Sequence, residues 1–440
     1  MKCPLWIRVA VSLLLVLAQI FPASSPCAQD ASKPQISNVD RARVDEILKQ
    51  VHDAVKKNYY DPWFHGVDLD ARYVKFLSAV KTAHKLSEAF DMIATYLSAL
   101  HDSHTYFIPP MVSSRFDYGF RMQMIGDHCF ITEVRPRTDA ASKIHPGDEV
   151  LKVGAYDATR SDFLDLQYYL NVLSPQRDLD LLLRAPNGAV RTEHVVTKFV
   201  AGEGLPIEQL VADAEDDSRH FLRDRSAEIA DTLIWKIPVF GMSHDDVDRM
   251  IGKADKHSVL IIDLRGNPGG LLDAVVYLTG CFFDHNVTIA TPVARKHQDA
   301  LIARPHGRQF TGKLFVLVDS GSASASELFA RTIQLNRRGT IIGDLTAGAV
   351  MEARLYPFHT GVDVQAFYAV AITSADLIMT DGKSLEKVGL TPDMLLLPTA
   401  ADLAAGSDPV LAQAVQLAGA NLDPAAAGRL FPFEWMPLQP

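Results

Sequence analysis

Lys313-Leu-Phe-Val-Leu-Val-Asp-Ser-Gly-Ser-Ala-Ser-Ala-Ser-Glu-Leu-Phe-Ala330 decides the reading of this 440-residue chain. The apolar run Leu314–Val318 has the length of a buried strand and stops at Asp319. Three serines then alternate with alanines, and a helical pattern begins. A hydroxyl at such a turn lies near the positive end of a helix dipole, where backbone N–H groups receive an oxyanion. The same letters also spell an ordinary helix start, because Ser324-Ala-Ser-Glu327 fits the S-x-x-E capping box. On its own the segment favours the cap over the nucleophile.

Upstream, Val259-Leu-Ile-Ile-Asp-Leu-Arg-Gly-Asn-Pro-Gly-Gly-Leu-Leu272 is a second strand running into a glycine-rich turn before a helix. Gly269 and Gly270 bring backbone donors close to a substrate carbonyl, although a helix-entry turn is the default reading. The spacing of a phosphate-binding loop, Gly-x-x-x-x-Gly-Lys-Ser/Thr, is not present there. A third stretch, Leu100-His-Asp-Ser-His-Thr-Tyr-Phe-Ile-Pro109, carries His101 and His104 at the end of a helical region. A lone histidine is more often a surface residue than a base. No HExxH or comparable pair at helical spacing marks a metal site.

Outward from these segments, three regions differ in pattern. From about Asn38 to Leu100, apolar residues recur every three or four positions (Val44, Ile47, Leu48, Val51, Val55), which predicts helices, with Ser87 as an N-cap of the last. From 115 to 200, short runs at Phe120–Ile125, Cys129–Val134, Glu149–Val153 and Leu179–Arg184 are divided by turn signals, which predicts a β-rich module with one helix near Ser161–Leu173. Beyond it, Val259–Leu264, Leu314–Val318, Thr340–Ile342 and Phe367–Ile372 read as buried strands alternating with helices, an α/β pattern. Residues 409–420 read as a final helix.

Composition bounds the function. Lys+Arg number 43 against Asp+Glu 53, a net charge of −10, which argues against a nucleic-acid binder. Hydrophobic residues make up 48% and charged ones 22%, an ordinary globular balance. Lys2, Arg8, the apolar run Val9–Phe21 and the small-residue stretch Ala23–Ala28 have the three parts of a secretory signal peptide. That run is short of the about 20 residues a bilayer span needs. Cleavage near Ala28 leaves Cys129 and Cys281, expected as two buried free thiols in different domains.

Together the segments resemble the C-terminal processing peptidases, or tail-specific proteases. Gly321-Ser-Ala-Ser-Ala-Ser-Glu327, Asp263-Leu-Arg-Gly-Asn-Pro-Gly-Gly270 and Gly389-Leu-Thr-Pro-Asp393 carry the resemblance. The β-rich module is similar to a PDZ domain. Ile144-His-Pro-Gly-Asp-Glu-Val-Leu-Lys-Val153 matches a PDZ stretch, and Tyr118, Gly119 and Phe120 stand where such a domain cradles a peptide C-terminus. The resemblance implies an α/β serine peptidase core of the ClpP/crotonase-like kind. The implied organisation is a signal peptide (1–28), a helical domain (29–114), a PDZ domain (115–200) and the core with a C-terminal helix (201–440).

In that family the middle serine of the trio is the nucleophile, Ser324 here. The processing-peptidase branch uses a lysine base at the position of Ala349, and no lysine occurs between Arg338 and Lys383. Arg354 cannot replace it, because a guanidinium stays protonated. The related tricorn-type branch uses a histidine in a Ser-His pair and a late glutamate, which match Ser103-His104 and Glu386. The resemblance therefore implies Ser324 as nucleophile, His104 as base, and Glu386 as orienting acid, acting directly or through Ser103. Ala325 with Gly269 or Gly270 would form the oxyanion hole. The implied activity is a secreted or periplasmic endopeptidase, without cofactor or metal, that acts on polypeptides with exposed C-terminal tails. A catalytically inactive binder of peptides or apolar ligands on the same fold is the alternative that the missing lysine raises.

Overall fold

The computed structural model describes residues 36–110, 115–200, 225–361 and 366–435. The expected signal peptide lies outside them. Three helices come first: α1 (Asn38–Asn58), α2 (Leu69–Val80) and α3 (Leu86–Ser98). Their apolar stripes close on one another and on Tyr368, Val370 and Ile372, so the helices are anchored to a sheet formed far along the chain. Ser37 and Asp68 cap α1 and α2 with side-chain oxygens. Ser87 does not cap α3 as expected. That helix already starts at Leu86, and Glu88 instead accepts the His84 N–H at 2.8 Å.

Strand β1 (Tyr106–Ile108) follows, and then β2 (Arg115–Asp117), which pairs with β9 (Lys198–Val200). Between them an antiparallel sheet runs in the order β3 (Phe120–Ile125), β4 (His128–Val134), β5 (Glu149–Val153), β7 (Asp178–Arg184), β8 (Val190–Val196), with β6 (Tyr156–Asp157) beside β5. Helix α4 (Phe163–Tyr168) closes a separate apolar core over it, built on Ile131, Leu166, Leu181 and Leu183. Cys129 lies in this core and Cys281 in another; both are buried and neither forms a disulfide.

The largest apolar core lies on a six-stranded sheet: β10 (Arg225–Ile229), β11 (Thr232–Lys236), β12 (Val259–Asp263), β15 (Lys313–Val318), β16 (Thr340–Gly343) and β19 (Met394–Leu395). From β11 onward every pairing is parallel. All residues of β12 are buried, as its continuous apolar run requires of a strand covered on both faces. One face carries α5 (His244–Ala254), α6 (Leu272–Gly280) and α7 (Ala325–Leu335). On the other packs α9 (Pro409–Leu417), which follows α8 (Ala400–Ala405). The chain thus has an α/β architecture. Residues 409–417 are helical as expected but not last, because α10 (Pro424–Gly428) follows.

A second, antiparallel sheet contains β1, β18 (Ala366–Met379), β13 (Val287–Val293) and β14 (Leu301–Ala303), with β17 (Met351–Thr360) also on β18. The stretch Phe367–Ile372, expected as a buried α/β strand, is part of β18. It extends to Met379 and leaves Phe367 half exposed. Its apolar run faces the N-terminal helices rather than the parallel sheet, a distinction that composition alone does not carry.

Candidate active site

Strand β15 ends at Val318 and α7 begins at Ala325, so Ser322 and Ser324 lie in the turn between them and Ser326 in the first turn of the helix. The flanking hydroxyls are tied down: Ser322 Oγ donates to Leu264 O at 2.8 Å and Ser326 Oγ to Asn267 O at 2.9 Å. No donated bond from the Ser324 hydroxyl occurs among the described residues. Ser324 has φ 54° and ψ −115°. A plain N-cap sits in extended backbone, as Ser243 does at φ −73°, ψ 163°. Ser324 is buried (7% exposed), and its positive φ at a strand-to-helix turn is a strained conformation held by its surroundings.

The surroundings are specific. Ser324 N–H donates to Ala349 O at 2.9 Å and also lies 3.1 Å from Glu327 Oε2. Glu327 is wholly buried and accepts further bonds from Thr346 Oγ1 (2.5 Å), Gly348 N (2.9 Å) and Ala349 N (3.0 Å). Burial pushes its carboxyl up to about 7, against the pull of these donors. The expected capping box is formed, and Glu327 does more than close it: it also fastens the 346–349 loop against the serine turn. Sequence reasoning saw Glu327 only as a cap and missed Thr346, which no pattern marks.

Gly269 and Gly270 stand at φ 107° and 142°. A Cβ on Gly269 would lie 2.7 Å from Ser324 Cβ, and one on Gly270 2.3 Å from Phe240 O. The Asn267–Gly270 turn therefore abuts the serine, as expected, and only glycine fits. However, Gly269 N–H already donates to Asn267 Oδ1 at 2.8 Å, which removes it as an oxyanion donor in this state. Beneath the turn, Asp263 is buried between Lys236 (3.3 Å) and Arg265 (2.9 Å), and these cations hold its carboxyl well below the usual range despite desolvation. Arg265 continues to Asp408 at 2.7 Å, so this ion network braces the glycine turn against α9.

His104 comes from the loop between α3 and β1. Strand β1 pairs with β18 in the register Tyr106↔Ala371, and Thr105 Oγ1 donates to Thr373 Oγ1 at 3.1 Å. Asp102 Oδ1 accepts from His104 N (2.9 Å), Thr105 N (2.6 Å) and Thr373 Oγ1 (2.9 Å), so the loop has little freedom. Glu386 follows β18. It accepts from Ser103 N (2.7 Å), Ser103 Oγ (2.9 Å) and Val350 N (2.9 Å). Ser103 Oγ lies 2.7 Å from His104 Nδ1.

Ser103 has one hydroxyl proton, and a carboxylate can only accept. With that proton on Glu386, Ser103 Oγ must accept from Nδ1–H, which leaves His104 Nε2 without a proton. Burial lowers the ring's pKa to about 4, so it is neutral at pH 7. Burial likewise raises that of Glu386. The glutamate thus reaches the imidazole through Ser103. Val350, held by Glu386, adjoins Ala349, whose carbonyl holds Ser324; this links the serine turn to the imidazole loop. No hydrogen bond joins Ser324 to His104 among the described residues.

Tyr118, Gly119 and Phe120 lie at the entry to β3. Tyr118 Oη donates to Leu170 O at 2.8 Å, and Gly119 N–H donates to Asp117 Oδ1 at 2.8 Å. The other end of the strand touches the serine turn: Gln123 Nε2 donates to Asp319 Oδ2 at 2.6 Å, and Ser320 Oγ to Met124 O at 2.5 Å.

The profile of peptidase family S41 matches residues 231–396, which hold Ser324, the glycine turn and Glu386 but not His104. The tail-specific protease of Haemophilus influenzae is 28% identical over 335 residues, covering 70% of this chain and 46% of that protein. The carboxy-terminal-processing protease of Bartonella bacilliformis is 33% identical over 144 residues, 32% of each. The match thus spans about half the length of the first relative and a third of the second. Mature CPAF in complex with lactacystin is 15% identical, with a TM-score of 0.62 over 83% of this chain and 95% of that one, a likeness of fold. Residues 231–396 thus match peptidase family S41, and the chain is similar to tail-specific and C-terminal-processing proteases.

Proposed function

We propose that this chain is an exported serine endopeptidase, with Ser324 as nucleophile and His104 as general base, oriented by Glu386 through Ser103. One observation carries the reading: Glu386 Oε2, Ser103 Oγ and His104 Nδ1 are linked at 2.9 and 2.7 Å, on a loop tied to the turn of a left-handed serine. Ala349 stands where the lysine of the processing-peptidase branch would be, so the imidazole supplies the basicity that this site otherwise lacks.

In the reaction, Ser324 Oγ attacks the scissile carbonyl as its proton passes to His104 Nε2. Glu386, through Ser103, stabilises the resulting imidazolium. Ala325 N–H, at the start of α7, is the donor to the developing oxyanion, and Gly269 N–H joins it only by leaving Asn267 Oδ1. The imidazolium then protonates the leaving amine, and a water activated by the same ring releases the acyl group. Substrate binding draws the hydroxyl and the ring together, a common event in sites built from separate segments. The β-rich module is read as a PDZ domain. Its edge strand β3 takes an extended polypeptide tail by strand addition, beside the Tyr118-Gly119-Phe120 turn. The substrates are unfolded or tail-exposed polypeptides. Export rests on the N-terminal signature.

The test is cleavage of casein or a tail peptide by the mature chain, with labelling by a serine-reactive phosphonate. Ser324→Ala and His104→Ala should each abolish both. The lack of a Ser324–His104 bond favours a second reading, an inactive peptide binder. Absence of labelling in the parent chain would establish it.

A further inference from the structure

The segment after α10, Phe431-Pro-Phe-Glu-Trp435, crosses from the parallel sheet to the β-rich module. At the sheet edge, Arg225 Nη1 donates to Pro432 O at 2.8 Å and lies 3.7 Å from Glu434. On the module, the Phe433 ring lies 4.4 Å from the Arg121 guanidinium and the Trp435 ring 4.8 Å from that of Arg135. The two rings meet edge-on at 4.9 Å.

The arginines form one face. Arg121 on β3 pairs with Glu133 on β4, and Arg135 follows two residues later, on the same side of the chain. Arg135 is held by Asp117 at 2.8 Å, and its N–H donates to Gly119 O at 2.8 Å. The aromatic side chains are spaced to match, because residues i and i+2 of an extended segment point the same way. Strand β3 is an edge strand, and two residues beyond Arg121 its Gln123 grips Asp319 of the nucleophile loop. A chain lying along β3 from this face therefore runs toward Ser324.

We propose that the Arg121–Arg135 face is a recognition site for an extended polypeptide segment bearing two aromatic side chains with one residue between them, and that Phe433 and Trp435 occupy it in cis until such a segment displaces them. The proposal rests on the peptidase reading only in calling the incoming chain a substrate. Phe433 keeps about a third of its surface exposed, which leaves its contact with Arg121 open to exchange. A tethered occupant still holds a high effective concentration, on the order of millimolar for a short linker. A competing chain gains the advantage when it is also held at the Ser324 site.

The test uses Ser324→Ala protein and a fluorescent peptide of residues 430–435, Leu-Phe-Pro-Phe-Glu-Trp. The peptide should bind a Phe433→Ala/Trp435→Ala form at least tenfold more tightly than the form with its tail intact. Adding Arg135→Ala to the stripped form should weaken binding at least tenfold. A peptide with leucine at both aromatic positions should bind the stripped form at least tenfold more weakly, a comparison that needs no altered arginine. Equal binding to both forms, no binding to either, or full binding by the leucine peptide overturns the proposal. With Ser324 intact, stripping the tail should lower KM for a substrate carrying Phe-x-Trp and leave one without it unchanged. Loss of all cleavage alongside retained peptide binding would sink the peptidase reading and leave this site standing.

Discussion

The two sheets contribute to the site in opposite ways. The parallel sheet presents Ser324 and the Asn267–Gly270 turn from adjacent strands, β15 and β12, each followed at once by its helix. The antiparallel sheet presents His104 and Glu386 from residues 282 positions apart, joined only because β1 pairs with β18. The Ser324 turn is thus a local product of a strand, a turn and a helix. The place of His104, the proposed base, is a product of long-range pairing and depends on Asp102, Ser103 and Thr373. The lesson is that the serine hydroxyl needs little beyond its own turn, whereas the neutral imidazole needs a whole second sheet.

Substitutions on each side test that contrast. Ser324→Ala and His104→Ala should each lower kcat/KM by about 10,000-fold or more, since members of a catalytic set fail together. A His104→Ala protein within tenfold of the parent in tail-peptide cleavage would remove the antiparallel sheet from the mechanism. Glu386→Gln comes next, with a loss of about 1,000- to 10,000-fold. The amide's donor end spoils the order of protons along Ser103 and His104. Ser103→Ala should mimic it in the same assay if the glutamate acts through the hydroxyl.

On the parallel-sheet side, Gly269→Ala puts a methyl 2.7 Å from Ser324 Cβ at a φ of 107°. We expect about 100-fold loss in kcat with KM little changed, because the methyl pushes the Ser324 hydroxyl out of its reacting position. The pH profile follows. His104 acts only when unprotonated, and burial has lowered its pKa to about 4. The rate should therefore stay flat from neutral pH through 5 and fall as pH drops through about 4. An ordinary histidine near 6.5 would leave about a thirtieth of the activity at pH 5. The same shift makes the unfolded chain bind an extra proton between about 6.5 and 4, so this residue's share of stability is present above that window and lost as pH falls through it. Smallest is Thr373→Val, which removes the hydroxyl that meets Asp102 and Thr105. About 1 kcal/mol of stability and up to tenfold in kcat are expected, read by thermal melting and by turnover.

Much of this was legible before any coordinates. The strands at Val259, Leu314 and Thr340 are continuous apolar runs bounded by turn residues, so their period and ends are written locally. The serine trio sits at a boundary that any such run announces. Less legible was β17, whose Pro357 and Arg354 interrupt the strand pattern; its partner β18 supplies the pairing that makes it a strand. Ser87 misled because a serine near a helix start fits a cap whether or not the chain bends there. Glu327 closes the capping box that its motif announced, but its bonds to Thr346, Gly348 and Ala349 are written nowhere near it. Gly269 was placed next to the serine, yet its engaged N–H depends on a side chain two residues back that happens to fold under it.

The sequence by itself determined the nucleophile turn, the glycines that crowd it and the absence of a lysine, because each is a matter of residue type within a few positions. It also named a Ser-His pair and a glutamate, though only by likeness. Tertiary structure alone decided that the glutamate reaches the imidazole through a serine hydroxyl, that burial keeps the ring neutral, and that Phe433 and Trp435 lie on an arginine face. Those outcomes depend on which distant surfaces exclude water from one another, and no run of neighbouring letters records that.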